Sequence, residues 1–220
     1  MFHISLSNII ATVISIAAFL MSVSCHEFAH GYVAHKLGDP TAKNSGRLTL
    51  NPLKHFDLLS ILFYMVFHFG WAKGVPINPM HFKDTKKGMV MCALAGPLTN
   101  ILLAFISAVI LQIYPERVAF SGVGYYILLY LYQFLYYMLS VNVMLAIFNL
   151  IPIPPLDGSK VFFSVFPDRI YYKILSYDRF MLIFLLVLVY TGVLDRIITT
   201  GAGNLSRIII NLADMAVFFK

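Results

Sequence analysis

Charge is what this sequence has least of. Of 220 residues, 12% are charged and 60% are hydrophobic, with a mean hydropathy of +0.81. So few ionic side chains cannot cover the surface of a water-soluble domain of this size, which excludes a soluble fold. No Lys, Arg, Asp or Glu precedes Glu27. The first apolar run therefore lacks the basic flank of a secretion signal, shows no small-residue cleavage site, and reads as a retained helix. Cysteine is scarce too. Cys25 and Cys92 both fall in apolar stretches, which argues against a disulfide framework. The net charge is +6, yet the basic residues are scattered among short loops. Orientation in a bilayer explains them better than nucleic acid does.

What is present is long apolar runs. The first helix is expected from about Leu6 to Lys36, ending at Gly38-Asp39-Pro40. Residues 88–115 and 118–156 carry no charge at all and hold two more spanning helices, the latter roughly Gly124 to Leu150. Residues 57–70 are apolar but short, which suits a re-entrant element, and Gly46-Arg47-Leu48-Thr49-Leu50 alternates as a strand would. Residues 180–194 are apolar and short as well, and the tail 203–220 is too mixed to place. The expected fold is an all-α polytopic membrane protein with about four to six membrane helices. A re-entrant hairpin or short strands would lie between the first two long helices. The whole chain, 1–220, forms one membrane-embedded domain, with a core of about 6–160 and C-terminal helices at about 161–220.

Polar groups inside apolar runs are costly and so informative. His26-Glu27-Phe28-Ala29-His30 places two imidazoles roughly 40° apart on one helix face, where both can bind one metal ion. Glu27 stands beside them as a candidate base. Such a pattern also arises by chance in unrelated helices; its place inside an apolar run raises its weight. His35 lies about 140° around from His30 and cannot join the site. His3, His55, His68 and His81 are likewise expected to be non-ligands, and Cys25 points elsewhere. Gly96 and Asn100 share a face across Pro97, which suits a small-residue packing surface with a buried amide. The tyrosines of the third helix read as interfacial anchors. After Asn149, three prolines in Pro152-Ile153-Pro154-Pro155 prevent a helix, and irregular backbone at that depth needs protein or a water-filled cavity around it. Asp157 closes this segment as the best remaining oxygen ligand, with a helix cap as the competing role.

Loop charge sets an expected topology. Lys and Arg number four in 36–57, four in 71–87, one in 114–121 and four in 157–179. If 57–70 is re-entrant, the three basic groups share the cytoplasmic side and 114–121 lies outside. Asp157 then returns to the side of His30, so the site faces the cytoplasm of a plasma or inner membrane.

Together, His26-Glu27-x-x-His30, Gly96-Pro97-x-x-Asn100 and Asn149 followed by Asp157-Gly158 resemble the site-2 proteases, the intramembrane zinc metalloproteases. The runs Gly46–Leu53, Ala95-Gly96-Pro97 and Pro154–Gly158 are similar to the small bacterial branch of that family, without PDZ or CBS domains. One departure is Pro155-Leu156-Asp157-Gly158, where the family's commonest form is Asn-Pro-Asp-Gly. The resemblance implies one Zn2+ per chain held by His26, His30 and Asp157. It also implies Glu27 as general base, Asn149 and Asn100 at the oxyanion or substrate backbone, and transmembrane proteins as substrates. The alternative from another class is a membrane metal or ion transporter using the same ligands in transit; a catalytically dead binding protein is disfavoured by the intact Glu27.

Overall fold

The computed structural model describes residues 6–57, 62, 72–113 and 122–218. Every regular element among them is helical, because long apolar runs without water must pair their backbone groups within one segment. Helix α1 (Leu6–Lys36) has 31 residues, about 46 Å of length, enough to cross a hydrocarbon core of about 30 Å. It ends where expected, with Gly38 at a φ of 105° that favours glycine. A single turn, α2 (Thr41–Asn44), follows. Helix α3 (Thr85–Ile113) and helix α4 (Val123–Asn149) are the other two long apolar helices. Pro97 sits inside α3 and does not end it.

The remaining helices are α5 (Asp157–Phe162), α6 (Asp168–Leu175), α7 (Asp178–Tyr190) and α8 (Asp195–Phe218). The last two, from Phe180 onward, form a bent pair at 81°, so the described chain has three spanning helices, or four if that pair counts as one broken span. This meets the lower edge of the expected four to six. The undecided tail is a packed helix: Ile209 and Ala213 of α8 lie buried against Ala104 and Ala108 of α3 and Leu139 and Val143 of α4. The opposite side of α3 shows Leu98, Leu102, Ile106 and Ile110 to the outside, an arrangement a bilayer satisfies and water does not.

Two expectations between α1 and α3 fare differently. The strand at 46–50 is absent: those residues form a turn and bends, with Arg47 N–H bonded back to the Ala42 carbonyl. Alternation makes a strand only where a neighbour supplies the ladder, and this segment instead lies on α1, with Leu48 beside Gly31. The proposed re-entrant stretch, 57–70, lies almost wholly outside the described residues. Its flanks are described, and they meet: Lys73 N–H donates to the His55 carbonyl at 2.7 Å.

Candidate metal centre

Helix α1 delivers His26 and His30 one turn apart, both buried. Their Nε2 atoms are 2.9 Å from each other. Asp157, buried in the first turn of α5, brings Oδ2 to 3.2 Å from His26 Nε2 and 3.1 Å from His30 Nε2. The non-helical 150–156 segment is what returns Asp157 to α1. Gly158 allows this turn, because a Cβ there would run into the backbone of Leu150 and Ile151. Gly96 plays the matching part on α3. A Cβ at Gly96 would stand 2.5 Å from His26 Cε1 and 2.5 Å from His30 Nε2, so only glycine lets α3 lie over the pair.

The outer edge of each imidazole is also held. His26 Nδ1–H donates to Asn100 Oδ1 at 2.6 Å, and His30 Nδ1–H donates to the Cys92 backbone carbonyl at 2.6 Å. With both protons on Nδ1, both Nε2 lone pairs face the Asp157 carboxylate. Three electron-rich atoms converging on one point repel unless a cation lies among them. A tetrahedral ion with metal–nitrogen distances of about 2.0–2.1 Å spaces its ligands by about 3.3 Å, close to the separations seen. The donor set of two neutral nitrogens and one carboxylate therefore fits a zinc-type ion with a fourth position left open. It is the cluster of such residues found among the described residues.

These three side chains line a cavity of about 380 Å³. Glu27, Asn149 and Lys160 line it too, with Ala72, Gly74 and Val75 from the non-helical 72–78 segment. Glu27 Oε2 accepts the Val75 N–H at 2.8 Å, which ties the carboxylate to that segment. Arg47 donates to the Lys73 and Gly74 carbonyls and steadies the same stretch. Lys160 donates to Asp157 Oδ1 at 3.0 Å, leaving Oδ2 for the histidines' side.

The residues singled out from sequence separate here. His26, Glu27, His30, Asn149 and Asp157 share the cavity. Asn149 also donates to the Leu145 carbonyl at 3.0 Å. Asn100 is not on the cavity wall: fully buried, it spends its amide on His26, Asn142 and Ser22, so the expected substrate contact gives way to a support for a ligand. His55 bonds the Thr49 carbonyl and His81 pairs with Asp39, both apart from the ligand cluster as expected; His3 and His68 lie outside the described residues. Cys25 and Cys92 carry free thiols, and it is the Cys92 carbonyl that matters. The sequence signal for the Lys160 contact is its i, i+3 spacing from Asp157. Val75 carried no such signal, because its role is a backbone N–H.

Residues 118–190, which include Asn149 and Asp157, match the profile of peptidase family M50. The protein YwhC of Bacillus subtilis (strain 168), named as a proposed zinc metalloprotease, is 38% identical over 180 residues, spanning 80% of each chain. MJ0611 of Methanocaldococcus jannaschii, named in the same way, is 31% identical over 154 residues, 70% of this chain and 71% of its own. Rip2 of Mycolicibacterium smegmatis, also so named, is 30% identical over 161 residues, 70% of this chain and 57% of its own. No solved structure matches the chain. A relative this similar over four-fifths of both chains settles the assignment: the chain belongs to peptidase family M50, the site-2 proteases.

Proposed function

We propose that this membrane protein is an intramembrane zinc endopeptidase that hydrolyses peptide bonds in or near transmembrane segments of other proteins. The observation that carries the reading is the placing of Glu27 on the wall of the cavity into which His26, His30 and Asp157 converge. His26, His30 and Asp157 would hold the ion. When bound, zinc supplies Lewis-acid polarisation of a carbonyl and a water made acidic enough to ionise near neutrality. Glu27 accepts the proton of the attacking water as its oxygen bonds to the peptide carbon. Glu27 then returns that proton to the departing nitrogen as the C–N bond breaks, so the carboxylate ends as it began. The Val75 N–H keeps Glu27 oriented through both transfers. Asn149, which also lines the cavity, would donate toward the carbonyl oxygen as negative charge builds there.

The cavity also suits an extended substrate. Residues 72–78 belong to no helix, and an unwound segment can pair with backbone whose N–H and C=O groups are not used in a helix. His30 lies roughly 9 Å along α1 from Lys36, so the site is below the lipid surface yet near one face. The hydrogen bond between Lys73 and His55 brings together the described residues that follow α1 and those that precede α3. The distribution of basic loops supports a cytoplasmic-facing site in the cell membrane.

The test is detergent-purified wild type and Glu27→Gln, each assayed for zinc content and for cleavage of a membrane-spanning substrate. Wild type is expected to cut. Glu27→Gln should keep one zinc per chain and lose cleavage by about 10²–10⁴-fold or more. Unaltered cleavage by Glu27→Gln overturns the mechanism, and metal flux that tolerates the substitution would identify a transporter instead.

A further inference from the structure

Behind the metal centre runs a chain of hydrogen bonds with only one possible direction. Asn142, fully buried on α4, donates from Nδ2 to the Met138 backbone carbonyl at 2.7 Å and to Ser22 Oγ at 2.8 Å. Ser22 Oγ in turn donates to the Ala18 carbonyl at 2.7 Å, so its hydroxyl proton is spent and it can only accept from Asn142. A backbone carbonyl accepts and never donates, so the Asn142 amide cannot be turned over. Its Oδ1 must therefore face Asn100, whose Nδ2 donates to it at 2.7 Å and to the Ser22 carbonyl at 3.4 Å. That turns Asn100 Oδ1 onto His26, which donates from Nδ1 at 2.6 Å. The proton of a neutral His26 ring is thereby kept on Nδ1, and the lone pair of Nε2 is left facing His30 and Asp157.

We propose that Asn142 is a positioning residue of the metal centre: through Asn100 it sets which nitrogen of His26 carries the proton, with Ser22 closing the network on α1. The proposal rests on reading His26, His30 and Asp157 as a metal site. Its physical content is polarity. An asparagine amide turned end for end offers NH2 where it offered oxygen. A His26 ring facing that NH2 must accept at Nδ1 and carry its proton on Nε2, where it blocks the metal. Without Asn142, only the long 3.4 Å bond to Ser22 resists that reversal. His30 is held separately by the Cys92 carbonyl, so it provides an internal reference.

The experiment uses full-length, metal-free protein with 15N-labelled histidine rings, and separately measures zinc affinity by competition with a chromophoric chelator. In wild type, Nδ1 of both His26 and His30 should carry a proton, whether or not another is shared among the two Nε2 atoms and Asp157. In Asn142→Leu, His26 Nδ1 should lose its proton in a fraction of the molecules, His30 Nδ1 should keep its own, and zinc affinity should fall about 10–100-fold. Asn142→Asp should restore both readouts, since an uncharged carboxyl still accepts from Asn100 and donates to Met138. If Asn142→Leu disturbs His30 as well, helix packing has been lost, and Asn142→Thr takes its place. That hydroxyl still reaches the Met138 carbonyl but does not reach Asn100. An unchanged His26 signature with unchanged zinc affinity in the interpretable variant overturns the proposal. Wild-type protein that takes up no zinc overturns the metal reading and this role with it, a result distinct from the first.

Discussion

Helix α3 changes character along its length. From Cys92 to Asn100 its inner side is a carbonyl, a bare glycine and a buried amide, each matched to an imidazole of α1. One turn further on, Ala104 and Ala108 meet Ile209 and Ala213 of α8 and Leu139 and Val143 of α4. Both halves are equally buried. In the apolar half, stability comes from close contact and is spread over many atoms. In the polar half each group has one correct partner, and an unmatched donor or acceptor away from water costs more than a lost contact. The first half therefore defines a geometry, and the second holds the helices together.

That contrast can be broken from either side. The largest effect is expected for Asp157→Ala, which removes the carboxylate facing both histidines. Stoichiometric zinc should be lost, as measured by metal analysis after dialysis, and cleavage with it; full retention of zinc refutes the ligand set. Gly96→Ala comes next. The added methyl would meet both imidazoles, and relieving it should cost about 1–3 kcal/mol and at least tenfold in zinc affinity. Wild-type zinc affinity in that variant would show that α3 does not set the site. In the apolar half, Ile209→Ala should lower stability by about 2–4 kcal/mol while zinc content per folded chain stays the same. Thermal unfolding and metal analysis on one preparation decide this, and a parallel loss of zinc would erase the distinction between the halves.

The smallest effect concerns the loop that follows α1. Burial pushes the Asp39 carboxyl up, but the Thr41 hydroxyl, the Asn78 and Thr41 N–H groups and His81 outweigh it and hold it below the ordinary aspartate range. A carboxyl lowered by folding stabilises the protein at pH above its unfolded value. That contribution disappears as pH falls through the folded value. Asp39→Asn should therefore lower Tm by about 2–4 °C near neutrality, with the difference closing in strong acid. A difference that persists unchanged in acid would rule out the ionised carboxyl as its source.

Much of this was legible without coordinates. The bounds of α1 follow from an apolar run that ends at Gly38, and the shared face of His26 and His30 follows from helical periodicity. The return of Asp157 follows from prolines that prevent α4 from continuing. What escaped were choices of partner. Leu48 and Leu50 alternate as a strand's residues do, yet among the described residues no strand meets them; Leu48 lies against Gly31 of α1 and Leu50 is exposed. Asn100 carries the same signal whether it faces a substrate or a histidine, and only the approach of α1 decides between them.

Local information in the chain places the helices and the polar groups within them. Backbone pairing and helical spacing are local, and each residue carries that information with it. The tertiary structure decided which donor meets which acceptor: Val75 with Glu27, the Cys92 carbonyl with His30, Asn142 with Asn100. Those matches join positions separated by 48, 62 and 42 residues. They depend on how whole helices settle against one another, and no single stretch of the chain records that.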